Sequence, residues 1–149
     1  MILQRTPPPL YFLAALIIGV GANILFPLRI GSQDWLVYSG WGMIVAGILV
    51  MPSVLLSFRG ASTPFDVRRD PTALLVTGPY RLSRNPSYLA LLISYMGIGI
   101  VLGNAWMLLT GILAIVLVDV FVVRNEERQL EVVFGDTYLA YKSRVRRWL

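Results

Sequence analysis

The chain has 149 residues, of which 56% are hydrophobic and only 14% charged, whereas soluble domains carry about 25% charged residues. It contains no cysteine and no histidine, which excludes disulfides, thiolate nucleophiles, the commonest metal ligands and the commonest general base. A net charge of +5 in so apolar a chain favours a membrane protein over a nucleic-acid-binding protein. We therefore expect neither a metal nor a nucleic acid as partner.

Two charge-free runs in the first half predict membrane helices. The first covers residues 10–28, close to the roughly 20 residues that span a bilayer, and no small-residue cleavage site of a signal peptide follows it. The second covers residues 35–58 and begins with Trp35, Tyr38 and Trp41, aromatic residues that favour the membrane interface.

Residues 59–86 form a polar segment whose prolines exclude one long helix. The charge-free run that follows, from Ser87 to Val118, is too long for one straight span. A break at Gly103-Asn104 divides it into two helices of suitable length. These helices are predicted at residues 87–103 and 105–123.

The distribution of basic residues predicts the topology. Four spans place every lysine and arginine except Arg29 on one side of the membrane, in agreement with the positive-inside rule. We predict an all-α, polytopic membrane protein of one domain, with both termini and the active site in the cytoplasm and the spans in the inner (plasma) membrane. Residues 124–149 repeat apolar and aromatic residues at helical spacing, with an interruption at Gly135, which predicts a C-terminal amphipathic helix at the membrane surface.

Two polar clusters flank the last two predicted spans. Arg81, Arg84, Asn85 and Tyr88 precede the third span, and the sequence RNEERQL at residues 124–130 follows the fourth. In a helical hairpin the two clusters meet and form a pocket for a zwitterion with an apolar part, because arginine binds carboxylates and glutamate accepts hydrogen bonds from hydroxyl or ammonium groups. The alternative is that these side chains anchor the helices at lipid headgroups.

Three small or acidic residues within the spans allow two interpretations each. Gly97 and Gly99 permit either close helix packing or contact of a flat group such as adenine with bare backbone. Asp119 lies in the fourth span, where a carboxylate is a functional candidate, although it is near enough to the polar end to pair with an arginine.

The segments LLVTGPYRLSRNPSY and RNEERQLEVVFGDTYLAYKSRVRRW together resemble the isoprenylcysteine carboxyl methyltransferase superfamily, which includes phospholipid N-methyltransferases. The resemblance covers about residues 64–149. It implies an integral membrane enzyme that transfers a methyl group from S-adenosylmethionine to a lipophilic acceptor and leaves S-adenosylhomocysteine. The acceptor is a carboxylate, as in isoprenylcysteine, or alternatively the amine of a phospholipid or other lipid; outside the enzyme class, the alternative is a membrane scaffold or lipid-binding protein.

The resemblance also implies site residues. It places the cofactor between the polar segments 59–86 and 124–149. The usual R-H-P motif is Arg84-Asn85-Pro86 here, and asparagine keeps a hydrogen-bonding group but cannot titrate. The implied catalytic residues are Glu127 and Arg124. The implied cofactor-binding residues are Leu74, Leu75, Val76, Tyr80, Arg84, Asn85, Pro86, Ser87, Tyr88, Gly97, Gly99 and Glu126.

Overall fold

The computed structural model describes residues 7–60 and 72–149, and in these residues it contains helices and no β-strand. The predicted all-α fold is confirmed. Arg5 and the part of the predicted polar segment at residues 61–71 lie outside the described residues. The helices are α1 (Pro8–Leu25), α2 (Asp34–Gly60), α3 (Pro86–Val101), α4 (Ala105–Val118) and α5 (Arg124–Arg144), with a 3₁₀ turn at Gly78–Arg81 and a π-helical turn at Asp119–Val123.

The helices have the length and composition of membrane spans. Within the described residues, three helical stretches are long and apolar enough to cross a bilayer: α1, α2 and the continuous helix that begins with α4. Helix α3 is apolar but has only 16 residues. Large apolar side chains on α1 and α2, such as Ile24 and Ile48, are mostly exposed, as expected where lipid replaces water around a helix.

The break between α3 and α4 lies where the sequence predicts it. Gly103 has φ +61°, a left-handed conformation that glycine adopts without strain. Asn104 then caps α4, because its side-chain oxygen accepts a hydrogen bond from the backbone N–H of Met107 at 3.3 Å. The chain therefore turns back here and forms a helical hairpin.

The helices form an antiparallel row in which α2 packs on α3, α3 on α4 and α4 on α1. Gly40 of α2 approaches Gly97 of α3, whereas Gly47 further along α2 approaches Ala90, earlier in α3. The two interhelical loops α1–α2 and α3–α4 meet at one end, where the N–H of Ile30 donates to the carbonyl of Gly103 at 2.9 Å. The start of α3 and the end of α4 therefore lie together at the opposite end.

Gly97 and Gly99 allow close helix packing. A Cβ atom at Gly97 would lie 2.6 Å from the carbonyl oxygen of Gly40, and one at Gly99 would lie 3.0 Å from the Cβ of Met107. Small residues at such positions let membrane helices approach closely. The backbone at these two positions is thus covered by neighbouring helices.

The end of the bundle that carries the polar segments is also well packed. Tyr11 and Phe12 of α1 join Tyr88 of α3 in a buried apolar cluster, and Trp148 packs against it from the C-terminal segment. Helix α5 changes direction at Gly135, whose φ is +49°. The predicted interruption at this glycine is confirmed.

Candidate functional site

Local backbone chemistry sets the position of the residues that precede α3. Gly78 has φ +58° and begins the 3₁₀ turn that buries Tyr80. Pro86 is the first residue of α3, where its missing N–H and fixed φ cost nothing. The hydroxyl of Ser83 accepts a hydrogen bond from the N–H of Asn85 at 3.1 Å, which fixes the turn into the helix. Asn85 and Tyr88 consequently lie at the entrance of α3.

The two glutamates lie in the first turn of α5, directly after the π-helical turn. A π turn has i→i+5 hydrogen bonds and inserts a local change of register into a helix. Both Glu126 and Glu127 then face the entrance of α3.

The two polar segments meet, as the hairpin argument predicts. The hydroxyl of Tyr88 donates a hydrogen bond to Oε1 of Glu126 at 2.6 Å, although the residues are 38 positions apart in sequence. Nη2 of Arg84 lies 2.9 Å from Oε1 of Glu127. We use the name "polar cluster" for a set of six residues in this contact region. The polar cluster comprises Tyr80, Arg84, Asn85, Tyr88, Glu126 and Glu127.

Glu127 is enclosed by arginines. Its side chain is 7% exposed and pairs with Arg84, whose side chain is 9% exposed. Arg147 also binds it bidentately, with Nε 3.0 Å from Oε1 and Nη2 2.7 Å from Oε2. Both carboxylate oxygens are therefore engaged, which suits a residue that positions its neighbours. The catalytic role that the resemblance implies for Glu127 stays a prediction.

Arg124, the second implied catalytic residue, lies at the edge of this region. Its side chain is 52% exposed, and its Nε pairs with Oδ2 of Asp119 at 3.1 Å. Asp119 also accepts from Nη1 of Arg147 at 3.3 Å. The interpretation of Asp119 as a carboxylate paired with arginine agrees with these contacts, and a catalytic role of Arg124 stays a prediction.

Glu126 differs from Glu127 in its electrostatics. Burial raises the pKa of Glu126; the hydrogen bond from Tyr88 opposes this change, and the nearby charge of Glu127 adds to it. Burial also raises the pKa of Tyr80, with a further contribution from the charge of Glu126. The polar cluster thus contains a carboxyl group that protonates more readily than an exposed glutamate, next to two neutral phenols.

The residues Leu74, Leu75 and Val76 line a cavity of about 580 Å³ between the end of α2 and the segment before α3. This volume is in the range of small-molecule sites, roughly 300–1,000 Å³. The lining ends at Pro79, the neighbour of Tyr80 in the 3₁₀ turn. The residues that line the cavity are therefore adjacent in sequence to Tyr80, a member of the polar cluster.

The other implied cofactor-binding residues divide into two groups. Pro86 and Ser87 form the first turn of α3 beside Asn85. Gly97 and Gly99 lie about 14 and 16 Å further along the helix axis than Tyr88, at 1.5 Å per residue, in the helix contacts described above. The structure does not bring these glycines to the polar cluster, and their contact with a cofactor stays a prediction.

Several polar contacts to these segments come from residues that the sequence does not single out. Arg147 binds Glu127, as described, and the hydroxyl of Tyr141 donates to the backbone carbonyl of Tyr80 at 2.7 Å. Burial raises the pKa of Tyr141 to about 12, so this hydroxyl stays a donor. Helical spacing includes Tyr141 among the aromatic residues of the predicted membrane-surface helix, without assigning it this contact. Arg147 belongs to a run of basic residues that look equivalent in sequence.

Among the described residues, no group of three or more acidic side chains is placed to hold a metal ion. The acids of this region are instead bound by arginine or tyrosine.

Comparison with known proteins gives the family. Residues 35–137 match the model of the phospholipid methyltransferase family. The chain belongs to the phospholipid methyltransferase family. A protein of Haemophilus influenzae, described as uncharacterized, is 42% identical over 62 residues, which are 42% of this chain and 98% of that protein. No solved structure matches the chain.

This family lies within the superfamily that the two sequence segments resemble, so the family-level prediction is confirmed. Membership indicates a methyltransferase that acts on lipid at the membrane. Together with the apolar helices, it supports an integral membrane protein.

We expect Asn85→His to keep the fold and ligand binding. Nδ2 of Asn85 donates to the backbone carbonyl of Arg147 at 3.0 Å, and an imidazole N–H is able to donate to the same oxygen. Asn85→Leu is a control of similar size without a donor, and we expect it to lower the free energy of unfolding by about 1 kcal/mol. Thermal unfolding in detergent compares the three proteins; equal loss of stability in both variants would contradict the proposed role of the side-chain N–H.

Proposed function

We propose that the chain transfers a methyl group from S-adenosylmethionine to a lipophilic acceptor at the membrane surface, and that the polar cluster binds this donor. The observation that carries the proposal is the contact of Tyr88 with Glu126 and of Arg84 with Glu127 in a chain of the phospholipid methyltransferase family. This contact joins the two segments on which the family resemblance depends.

The chemistry of the residues fits the donor. Nε and Nη1 of Arg84 are buried and have no hydrogen-bond partner within the described residues, and a carboxylate is the acceptor that such a guanidinium prefers. Glu126 has Tyr88 as its hydrogen-bond partner in the described residues and can accept further bonds from hydroxyl or ammonium groups. The cavity beside Leu74 and Val76 also has Ser53, Ser57 and Thr77 in its lining, and this mixture of apolar and hydroxyl side chains suits the faces and the polar edge of an adenine ring.

S-adenosylmethionine supplies an electrophilic methyl group on a sulfonium. The protein has to hold donor and acceptor in line and to exclude water. The phenol rings of Tyr80 and Tyr88 attract a nearby cation, and their burial keeps water from the reacting groups. The S–CH₃ bond breaks as the bond from the methyl group to the acceptor forms.

We propose a lipid amine as the first candidate acceptor, because the matched family is described as phospholipid methyltransferase, and the carboxylate of an isoprenylcysteine as the second. An ammonium group has to lose a proton before it attacks, whereas a carboxylate needs no base. Asp119 is bound by Arg124 and Arg147, and Glu127 is bound by Arg84 and Arg147. Glu126 is therefore the acid best suited to accept the proton of an amine.

The pH dependence of the reaction follows from this assignment. The rate should fall as the pH decreases through the pKa of Glu126, because the protonated carboxyl cannot accept a proton. Since burial raises this pKa, the fall should begin above the ordinary glutamate value of about 4.3. The measurement is the pH profile of kcat/KM for the lipid acceptor; the same acidic limb in Glu126→Gln would contradict the role of Glu126 as base.

The charge distribution supports a cytoplasmic orientation of the polar cluster, since basic residues concentrate in the segments at this end of the helices. The donor then enters from the cytoplasm and the lipid enters sideways from the bilayer. We propose the inner membrane as the location.

Mass spectrometry of lipids after incubation with a labelled methyl donor tests the reaction and separates its acceptors. Label on a lipid amine supports the favoured reaction, and label on a carboxyl ester supports the isoprenylcysteine-like reaction. A thermal-shift assay with S-adenosylhomocysteine separates the enzyme from a scaffold or lipid-binding protein. A rise in melting temperature supports the enzyme, and an unchanged melting temperature at millimolar ligand contradicts it.

A further inference from the structure

The last residues of the chain contact both halves of the polar cluster. Helix α5 ends at Arg144, and Val145 is extended, with φ −119° and ψ 129°. The carbonyl of Arg146 accepts a hydrogen bond from the N–H of Arg84 at 3.0 Å. The carbonyl of Arg147 accepts from Nδ2 of Asn85 at 3.0 Å. We use the name "C-terminal clasp" for residues 145–148.

The hydroxyl of Ser83 also donates to the carbonyl of Arg147, at 3.2 Å. The backbone of the C-terminal clasp therefore holds the segment that leads into α3. Trp148 packs on the apolar cluster that contains Tyr88, so the clasp is fixed on its apolar side as well.

The side chain of Arg147 joins this segment to α5. It binds both carboxylate oxygens of Glu127, at 3.0 and 2.7 Å, and Oδ1 of Asp119 at 3.3 Å. Asp119 begins the π-helical turn, and Glu127 follows it. One guanidinium thus links the first residue of the π-helical turn to the first turn of α5, which also carries Glu126.

Arg147 is suited to positioning more than to maintaining the fold. Its side chain is 32% exposed, whereas that of Arg84 is 9% exposed, so solvent screens the Arg147–Glu127 pair more than the Arg84–Glu127 pair and lowers its contribution to stability. Without it, Glu127 keeps Arg84 as its buried partner, so no carboxylate is left buried and unpaired. Removal of Arg147 should instead change the alignment of the first turn of α5 with the entrance of α3.

We propose that Arg147 is a positioning residue of the methyl-donor site, and that the C-terminal clasp holds Glu126 and Tyr88 in contact with each other. This inference rests on the proposed function, because it assumes that the polar cluster binds the methyl donor. It assigns Arg147 a role in donor binding and none in binding of the lipid acceptor. The C-terminal clasp is thereby required for donor binding.

The test compares Arg147→Ala, Arg147→Lys and the control Arg144→Ala, which removes the same charge from an exposed side chain outside the clasp; the Nε of Arg144 donates to the carbonyl of Ala140 in its own helix. We expect Arg147→Ala to raise the KM for S-adenosylmethionine and the Kd for S-adenosylhomocysteine about 10- to 100-fold, a range typical of small misplacements in a site. The KM for the lipid should stay unchanged. Lysine should restore the binding only in part, because it cannot bind a carboxylate bidentately.

Added guanidinium ion should partly restore the affinity of Arg147→Ala and leave that of Arg144→Ala unaffected. Wild-type affinity in Arg147→Ala, or an equal rise of both KM values together with a lower melting temperature, would overturn the inference while the proposed function stands. A wild-type protein that binds no S-adenosylhomocysteine would overturn the proposed function and this inference with it.

Discussion

Glu126→Ala is expected to weaken binding of S-adenosylhomocysteine by about 100-fold, because hydrogen bonds to a charged group contribute about 1.5–3 kcal/mol each and Oε2 of Glu126 is available to the ligand while Oε1 accepts from Tyr88. The buried hydroxyl of Tyr88 also loses the acceptor that lies 2.6 Å away. Calorimetric titration of the protein in detergent measures this change.

Two further variants separate the roles of Glu126. Glu126→Gln keeps an oxygen for Tyr88 and for the ligand but cannot accept a proton, so we expect affinity within about tenfold of the wild type and a kcat lowered by about 10²- to 10⁴-fold for an amine acceptor. For a carboxylate acceptor, kcat should not change in this way. Glu131→Ala is the control, since Glu131 lies on the same helix and pairs with Lys142. Unchanged affinity in Glu126→Ala would remove Glu126 from the donor site.

Glu127→Ala is expected to lower the free energy of unfolding by about 3–5 kcal/mol, the cost of leaving a buried charge without its partner. The charge concerned is that of Arg84, whose side chain is 9% exposed. Arg124→Ala is the control. It breaks the pair with Asp119, in which the arginine is 52% exposed, and should cost less than about 1 kcal/mol.

Unfolding by titration with sodium dodecyl sulfate in mixed micelles measures both changes, and methyl transfer is assayed on the folded fraction. Loss of stability in Glu127→Ala together with donor binding by the folded fraction that is weakened about as much as in Arg147→Ala would support the positioning role, because Arg147 acts on this carboxylate. A stable Glu127→Ala protein without methyl transfer would contradict it and support the catalytic role that the family resemblance implies.

Much of the fold follows from local features of the sequence. Charge-free runs locate the helices because lipid excludes unpaired charges, and Gly103-Asn104 marks the hairpin because one residue adopts a left-handed conformation and the other caps a helix. The approach of Arg84 and Tyr88 to the glutamate pair follows from this hairpin, since the positive-inside rule requires both basic segments to lie on the same side of the membrane.

The detailed contacts of the site depend on features that the sequence pattern does not encode. Glu126 and Glu127 are adjacent, and only the π-helical turn and the packing of α5 decide which of them meets the arginines. The sequence does not distinguish Arg144, Arg146 and Arg147. The extended conformation of Val145 directs the chain so that the side chain of Arg147 contacts Glu127. Such choices arise from tertiary packing.

Photoaffinity labelling with an azidoadenine analogue of S-adenosylmethionine tests most directly whether the donor binds at the polar cluster. After irradiation and peptide mapping, we predict label that S-adenosylhomocysteine competes away, located in residues 72–88 or in the first turns of α5. Competable label confined to the opposite end of the bundle, at residues 26–33 or 102–104, would contradict the proposed site.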